Sequence, residues 1–398
     1  MTPRKQLPAF VLPSVLVLST IILLIILSGY SAMTLQMQEY ATYHEYRQKR
    51  LDIRSALAII CRDSTICPAN DSASVSLFSG HDTRLSVKRW GLYESVEIAT
   101  GDMSKHFLLG KENECRYKAA LWVYDLQRPL SLSGDTRIQG LAYIPAGGIN
   151  YSDAQTGYCP EQNIDIKDLR LSGNQLPPTD TTVSRQLRML MDINENTETG
   201  IDIGESYHSF SKPTAIIMAS DIKGTYMGNL ILTGDHIEFH KEASVSDIII
   251  SANTVRIKTG FKGRAQIFCS DSVIVETGAK LEYPSGIYME NTNPYIEIRT
   301  GSSVYGYIVI KDNDAFSRQI CYVQKPGTSI KGLLYVDGIC DLKGHISGAA
   351  YIKDCFHRDR DYLYSKTLHD VHIERNDSIA YPILLSGTYT RKPIKNLH

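Results

Sequence analysis

His236, Glu238 and His240 alternate along a strand-like run, so all three project from one side of it. Two imidazoles and a carboxylate form a donor set that zinc accepts, and the same spacing equally describes the wet face opposite Ile237 and Phe239. His369 and His372 make a sparser set of the same kind. Asp192-Ile-Asn-Glu-Asn-Thr-Glu198 spaces oxygens as a calcium loop begins. Its sixth position is Thr197 where that loop turns on glycine, and its twelfth is Ile203 where a bidentate Glu is required, so a solvated linker is expected instead. Asp312 and Asp314 could share a face and supply the paired carboxylates of glycosidic cleavage. They fall in Lys-Asp-Asn-Asp-Ala, where Asp and Asn suit a turn for conformational reasons alone. There is no Gly-x-Ser-x-Gly elbow and no phosphate loop. The sequence therefore assigns no catalytic residue, no cofactor-binding residue and no cofactor, and the expectation is a protein that is not an enzyme.

The eight cysteines fit an oxidising compartment, and Cys61 and Cys67 are close enough to close a small disulfide loop. Cys269 and Cys340, flanked by strand-like residues, read equally well as buried thiols. Lys and Arg number 42 against 43 Asp and Glu, so no net field draws the chain to a polyanion and nucleic acid is not an expected partner.

These residues need elements to position them, and the first is plain. From Leu7 to Gln38 no residue is charged, and Phe10–Leu27 is almost wholly apolar. About 20 apolar residues cross a bilayer, so residues 10–32 are expected to meet lipid as a single transmembrane helix. Arg4 and Lys5 precede the helix and Glu39 is the first charge after it, which places the N-terminus in the cytoplasm and the bulk outside, in the periplasm or at the cell surface. Arg47, Lys49 and Arg50 pull the other way. A cleaved signal peptide would have a shorter apolar region, of about 7–15 residues, and a small-x-small site, which Tyr30 interrupts among Gly29, Ser31 and Ala32. Ser31–Ile60 lacks Gly and Pro and extends the helix as a stalk.

The run Arg4-Lys5-Gln6-Leu7-Pro8-Ala9-Phe10-Val11-Leu12, followed by an unbroken apolar helix, resembles the leader and first turn of type IV pilins and pseudopilins. The resemblance implies cleavage by a prepilin peptidase between Ala9 and Phe10. Ala9 stands where the family usually has Gly, and Ser14 where most members carry Glu. An uncleaved anchor is the other reading of the same residues.

From Cys61 onward, short strand-like runs are punctuated by Gly, Ser, Asn and Asp. Two repeat families stand out. Val255–Gly260, Val273–Gly278 and Ile296–Gly301 alternate apolar and polar residues and end in Thr-Gly, and Ile237–His240 falls in step before them. The second family begins at Ile138, Val304, Ile330 and Ile346, with Gly140, Gly306, Gly332 and Gly348 at a fixed place and Tyr143, Tyr335 and Tyr351 at a later one. Aligned repeats predict a coil whose turns stack, a parallel β-solenoid, whereas an antiparallel sandwich would not require the alignment. The Ile-x-Gly-x-x-Tyr-Ile pattern resembles bactofilin-like, polymer-forming β-helices, which implies architecture only.

The expected fold class is mainly β. Residues 1–34 would form a cytoplasmic tip and transmembrane helix, 35–60 a helical stalk, and 61–176 a β-rich domain or first coils. Residues 177–213 would be a linker with a short helix, 214–355 the solenoid, and 356–398 a C-terminal cap. The function expected is an envelope protein serving assembly, adhesion or structure, a minor component of a pilus-like or secretion-like apparatus, with other envelope proteins or its own copies as partners. A carbohydrate-active enzyme or glycan-binding protein on the same scaffold is the alternative. Its sugar platform would need exposed aromatics, whereas recurrence of tyrosine at one repeat position favours a structural stack.

Overall fold

The computed structural model describes residues 11–77, 82–112, 118–151, 164–195, 205–314, 317–360 and 362–397. The chain is mainly β, preceded by one long helix, α1 (Val11–Arg62), of 52 residues. At about 1.5 Å per residue, α1 is about 78 Å long. Its first half presents Leu12, Leu16, Leu23, Leu24 and Ile25 to the outside. Ser19, Thr20 and Ser28 return their hydroxyls to carbonyls three residues earlier, which satisfies these polar groups within the apolar stretch. The helix is long and apolar enough to cross a membrane.

The last turns of α1 differ. Ile53, Ala56 and Ile60 are buried against a five-stranded antiparallel sheet. Four of its strands follow one another, Asp71–Ser76, Asp82–Trp90, Tyr93–Thr100 and Met103–Lys111, and the fifth is the C-terminal strand Arg391–Leu397. Leu85, Val87, Val96 and Ile98 alternate toward the helix, as period-two strands with one covered face require.

The described residues between 119 and 374 form the larger body, and among them the strand pairings are parallel apart from that of Phe356–Asp359 with Tyr362–Ser365. The repeats seen in the sequence meet in register. Ile237 pairs with Val255, Val255 with Val273, and Val273 with Ile296. In the second family Gly306 pairs with Gly332 and Gly332 with Gly348. Gly at these sites is obligatory: a Cβ on Gly332 (φ +135) would sit 1.9 Å from the Gly306 carbonyl oxygen.

Side chains alternate between two cores. Ile287, Ile308, Leu334 and Ala350 point into the body. Tyr288, Tyr307, Tyr335 and Tyr351 point outward, yet they too are buried. A second helix, α2 (Thr181–Met191), covers that outer face with Val183 and Leu187, and Tyr381 and Leu384 cover the rest. Burial on both faces explains why these strands read as unbroken apolar runs.

The chain's route through this body is not sequential. Leu121 pairs with Ala350, Ala142 with Leu121, and Leu169 with Ala142. Ile138 pairs with Ile373, itself the partner of Ile346. The strands Leu121–Val123, Arg137–Gln139, Ala142–Ile144 and Leu169–Leu171 thus lie beyond the strand Gly344–Asp359, while Glu205–His208, later in the chain than α2, pairs at the opposite end. The tail then returns and hydrogen-bonds Leu92 through Ile383 before pairing with Met103–Lys111.

Candidate assembly site: the anchor helix and its seat

The longest run of exposed apolar residues among those described lies on α1, which continues into a seat that ties it to the rest of the protein. Lys49 bridges Glu45 at 2.6 Å and Asp102 of the sheet at 2.7 Å, and these two hydrogen bonds raise its pKa. Just above, Leu35, Gln38, Glu39, Thr42, Tyr43 and Tyr46 line a shallow depression on the helix surface.

Below lies a buried charge pair. Arg391 Nε donates to Glu94 at 2.6 Å, with side chains 1% and 0% exposed, and Tyr389 donates to the other Glu94 oxygen at 2.7 Å. Arg391 also donates to the carbonyls of Ile60 and Cys67, so one guanidinium clasps the end of α1, the turn after it and the sheet. Each of the three guanidinium nitrogens donates to one acceptor here, the kind of hydrogen bonding that a buried ion pair needs to hold.

The seat is fixed to the parallel body. Gln266 donates to the Trp90 carbonyl at 2.9 Å, while its own oxygen accepts from the Leu92 amide at 3.0 Å and from the Tyr307 hydroxyl at 2.9 Å. Lys395 pairs with Asp247, and Trp90 meets Phe210 edge to face. A load on α1 therefore reaches the body through ordered contacts rather than through a linker.

The sequence candidates fall as follows. Ala9 and Phe10 lie outside the described residues, as do residues 196–204 of the would-be calcium loop. Asp192 caps α2, its amide donating to Arg188. Cys61 and Cys67 are both free thiols rather than a disulfide, with the Cys67 Sγ turned to the Asp71 carbonyl at 3.4 Å and the Cys61 thiol pushed up to about 11 by burial. Cys269 and Cys340 are buried thiols, each donating to a carbonyl of a neighbouring strand. Asp312 accepts from the amides of Asn293 and Asp314, a turn role. His369 and His372 part company, His369 facing Ser133 and His372 facing Asp135.

His236, Glu238 and His240 do project from one side, with a fourth residue the sequence reading missed. Asp221 pairs with Glu238 on the adjacent strand, and its carboxylate accepts from His240 Nε2 at 3.1 Å. Donor atoms of Asp221, Glu238 and His240 lie within 4.8 Å of one another. His236 stands 3.6 Å from Glu238 on the other side, with its Nδ1 on the Thr254 hydroxyl. Lys258 approaches Glu238 at 3.0 Å and, with His236, lowers its pKa, while His240 and Lys223 lower that of Asp221. The signal that could have found Asp221 is its separation of 19 residues from His240, about one step of the repeat.

No family model matches the chain, and no curated protein or solved structure matches it either.

Proposed function

We propose that this protein is a membrane-anchored envelope component that holds a rigid, exported β-solenoid on α1 and serves assembly rather than catalysis. The observation that carries the reading is the contrast along α1: exposed apolar residues from Leu12 to Leu35, then Ile53, Ala56 and Ile60 locked into a folded body. The parallel pairing of successive repeats supports the solenoid. Arg4 and Lys5 before the helix support an N-terminus in the cytoplasm. The recurring tyrosines are spent on packing under α2 and the C-terminal segment, so they offer no platform for a sugar. The Arg4–Leu12 run supports membership of a pilus-like or secretion-like apparatus as a minor subunit.

Intact mass and N-terminal sequence of the protein recovered from native membranes test this. A mature chain beginning at Phe10 supports the pilus-like assignment, and one beginning at Met1 removes that assignment and leaves a plain anchor. A chain beginning near Ala32 and recovered in the soluble fraction overturns the anchored reading altogether.

A further inference from the structure

We propose that Asp221, Glu238 and His240 bind one zinc-class divalent ion on the exposed flank of the parallel body. Two observations converge. Asp221 and Glu238 sit on paired strands, Asp221–Ile222 and Leu230–Phe239, and His240 directly follows the second; the backbones are tied by Glu238 N to Ser220 O at 2.7 Å and His240 N to Ile222 O at 3.0 Å. Ligands on strands are held more precisely than ligands on loops.

Spacing is the second. His240 Nε2 lies 3.1 Å from Asp221, and donor atoms of Asp221, Glu238 and His240 all lie within 4.8 Å of one another. A tetrahedral zinc with bonds of about 2.0–2.1 Å has ligand edges of about 3.4 Å, so small side-chain movements bring the three donors to one ion and leave its fourth position to water. One nitrogen and two carboxylates suit zinc and its neighbours, whereas calcium takes six to eight oxygens.

Lys258 now neutralises Glu238, and Lys223 stands 3.8 Å from Asp221. A bound dication takes the place of the Lys258 ammonium, so metal and Lys258 compete for one carboxylate. That competition sets this site apart from adventitious binding at surface histidines.

The test is calorimetric titration of the full-length protein in detergent with Zn2+, repeated with Co2+ for its spectrum. We expect one equivalent to bind, with visible Co2+ bands and no thiolate charge-transfer band. Asp221→Asn with His240→Ala should abolish saturable binding, and Lys258→Gln should tighten it. Circular dichroism checks that each variant is folded, and Lys258→Gln removes no ligand, so its outcome is readable by itself. The proposal is overturned by no binding above the detergent blank, by binding unchanged in the double variant, by a thiolate band that disappears in Cys61→Ser, or by Lys258→Gln leaving affinity unaltered.

Discussion

Arg391 and Glu94 show what a single buried pair does in this fold, since the guanidinium holds the end of α1, the following turn and the C-terminal strand together. Arg391→Ala would leave the Glu94 carboxylate with only the more distant Arg89, at 3.7 Å, and would strip the Ile60 and Cys67 carbonyls of their donor. We expect a loss of about 3–5 kcal/mol, read from urea denaturation of the body. His357 gives a pH signature. Burial drives its imidazole down to about 4, beside His369 at 4.2 Å between ring centres and with Lys343, Asp359 and Asp370 near. Because the folded value lies below the ordinary 6.5, the unfolded chain takes the proton first as pH falls. Stability is therefore lost between about pH 6.5 and 4. Asp341, held up by burial, has the opposite sign and gains stability as pH falls. Denaturation midpoints at pH 7 and 4.5 should converge in His357→Gln relative to the parent; equal slopes would remove His357 as the cause. Neither residue's role was legible in sequence, because Arg391 meets a partner 297 positions away. His236, Glu238 and His240 were legible as one face by alternation alone, and Asp221 needed the strand register to join them.

Among elements, the repeat carried most of the information. The aligned Gly306, Gly332 and Gly348 were readable as one column, and the structure supplies the reason: each backbone passes too close to the carbonyl before it for any Cβ. Gly332→Ala should cost more than about 1 kcal/mol, whereas Gly173→Ala, with nothing within 4 Å of the added carbon, should leave thermal stability unchanged. The helix α2 was readable from the spacing of Val183, Leu187 and Leu190. Its Asp180 cap accepts from the amides of Thr182 and Val183 at 2.8 and 3.1 Å. Asp180→Ala is expected to cost about 1 kcal/mol, measurable as a lower midpoint. That α2 lies over the tyrosine face was not legible, since tertiary cover comes from segments far along the chain and leaves no local period.

At the scale of the whole molecule, the sequence marks a long apolar helix and a set of aligned repeats but not how they join. The strands from Leu121–Val123 to Leu169–Leu171 precede the main run of repeats in sequence yet pair beyond Gly344–Asp359, and the C-terminal strand closes the sheet that seats α1. No pattern along the chain announces a strand exchanged over such distances. The seat makes a clear prediction about truncation. Removing residues 1–50 should release a folded, soluble body, whereas removing residues 1–62 also takes Ile53, Ala56 and Ile60 from the sheet core and should give a protein with lower thermal stability that aggregates. The most direct test of the anchored, exported reading is protease digestion of intact cells made permeable only at the outermost barrier, followed by blotting for a C-terminal tag. The account predicts that the tag is lost while a membrane-retained fragment containing α1 survives; a tag fully protected until the cells are lysed would contradict it.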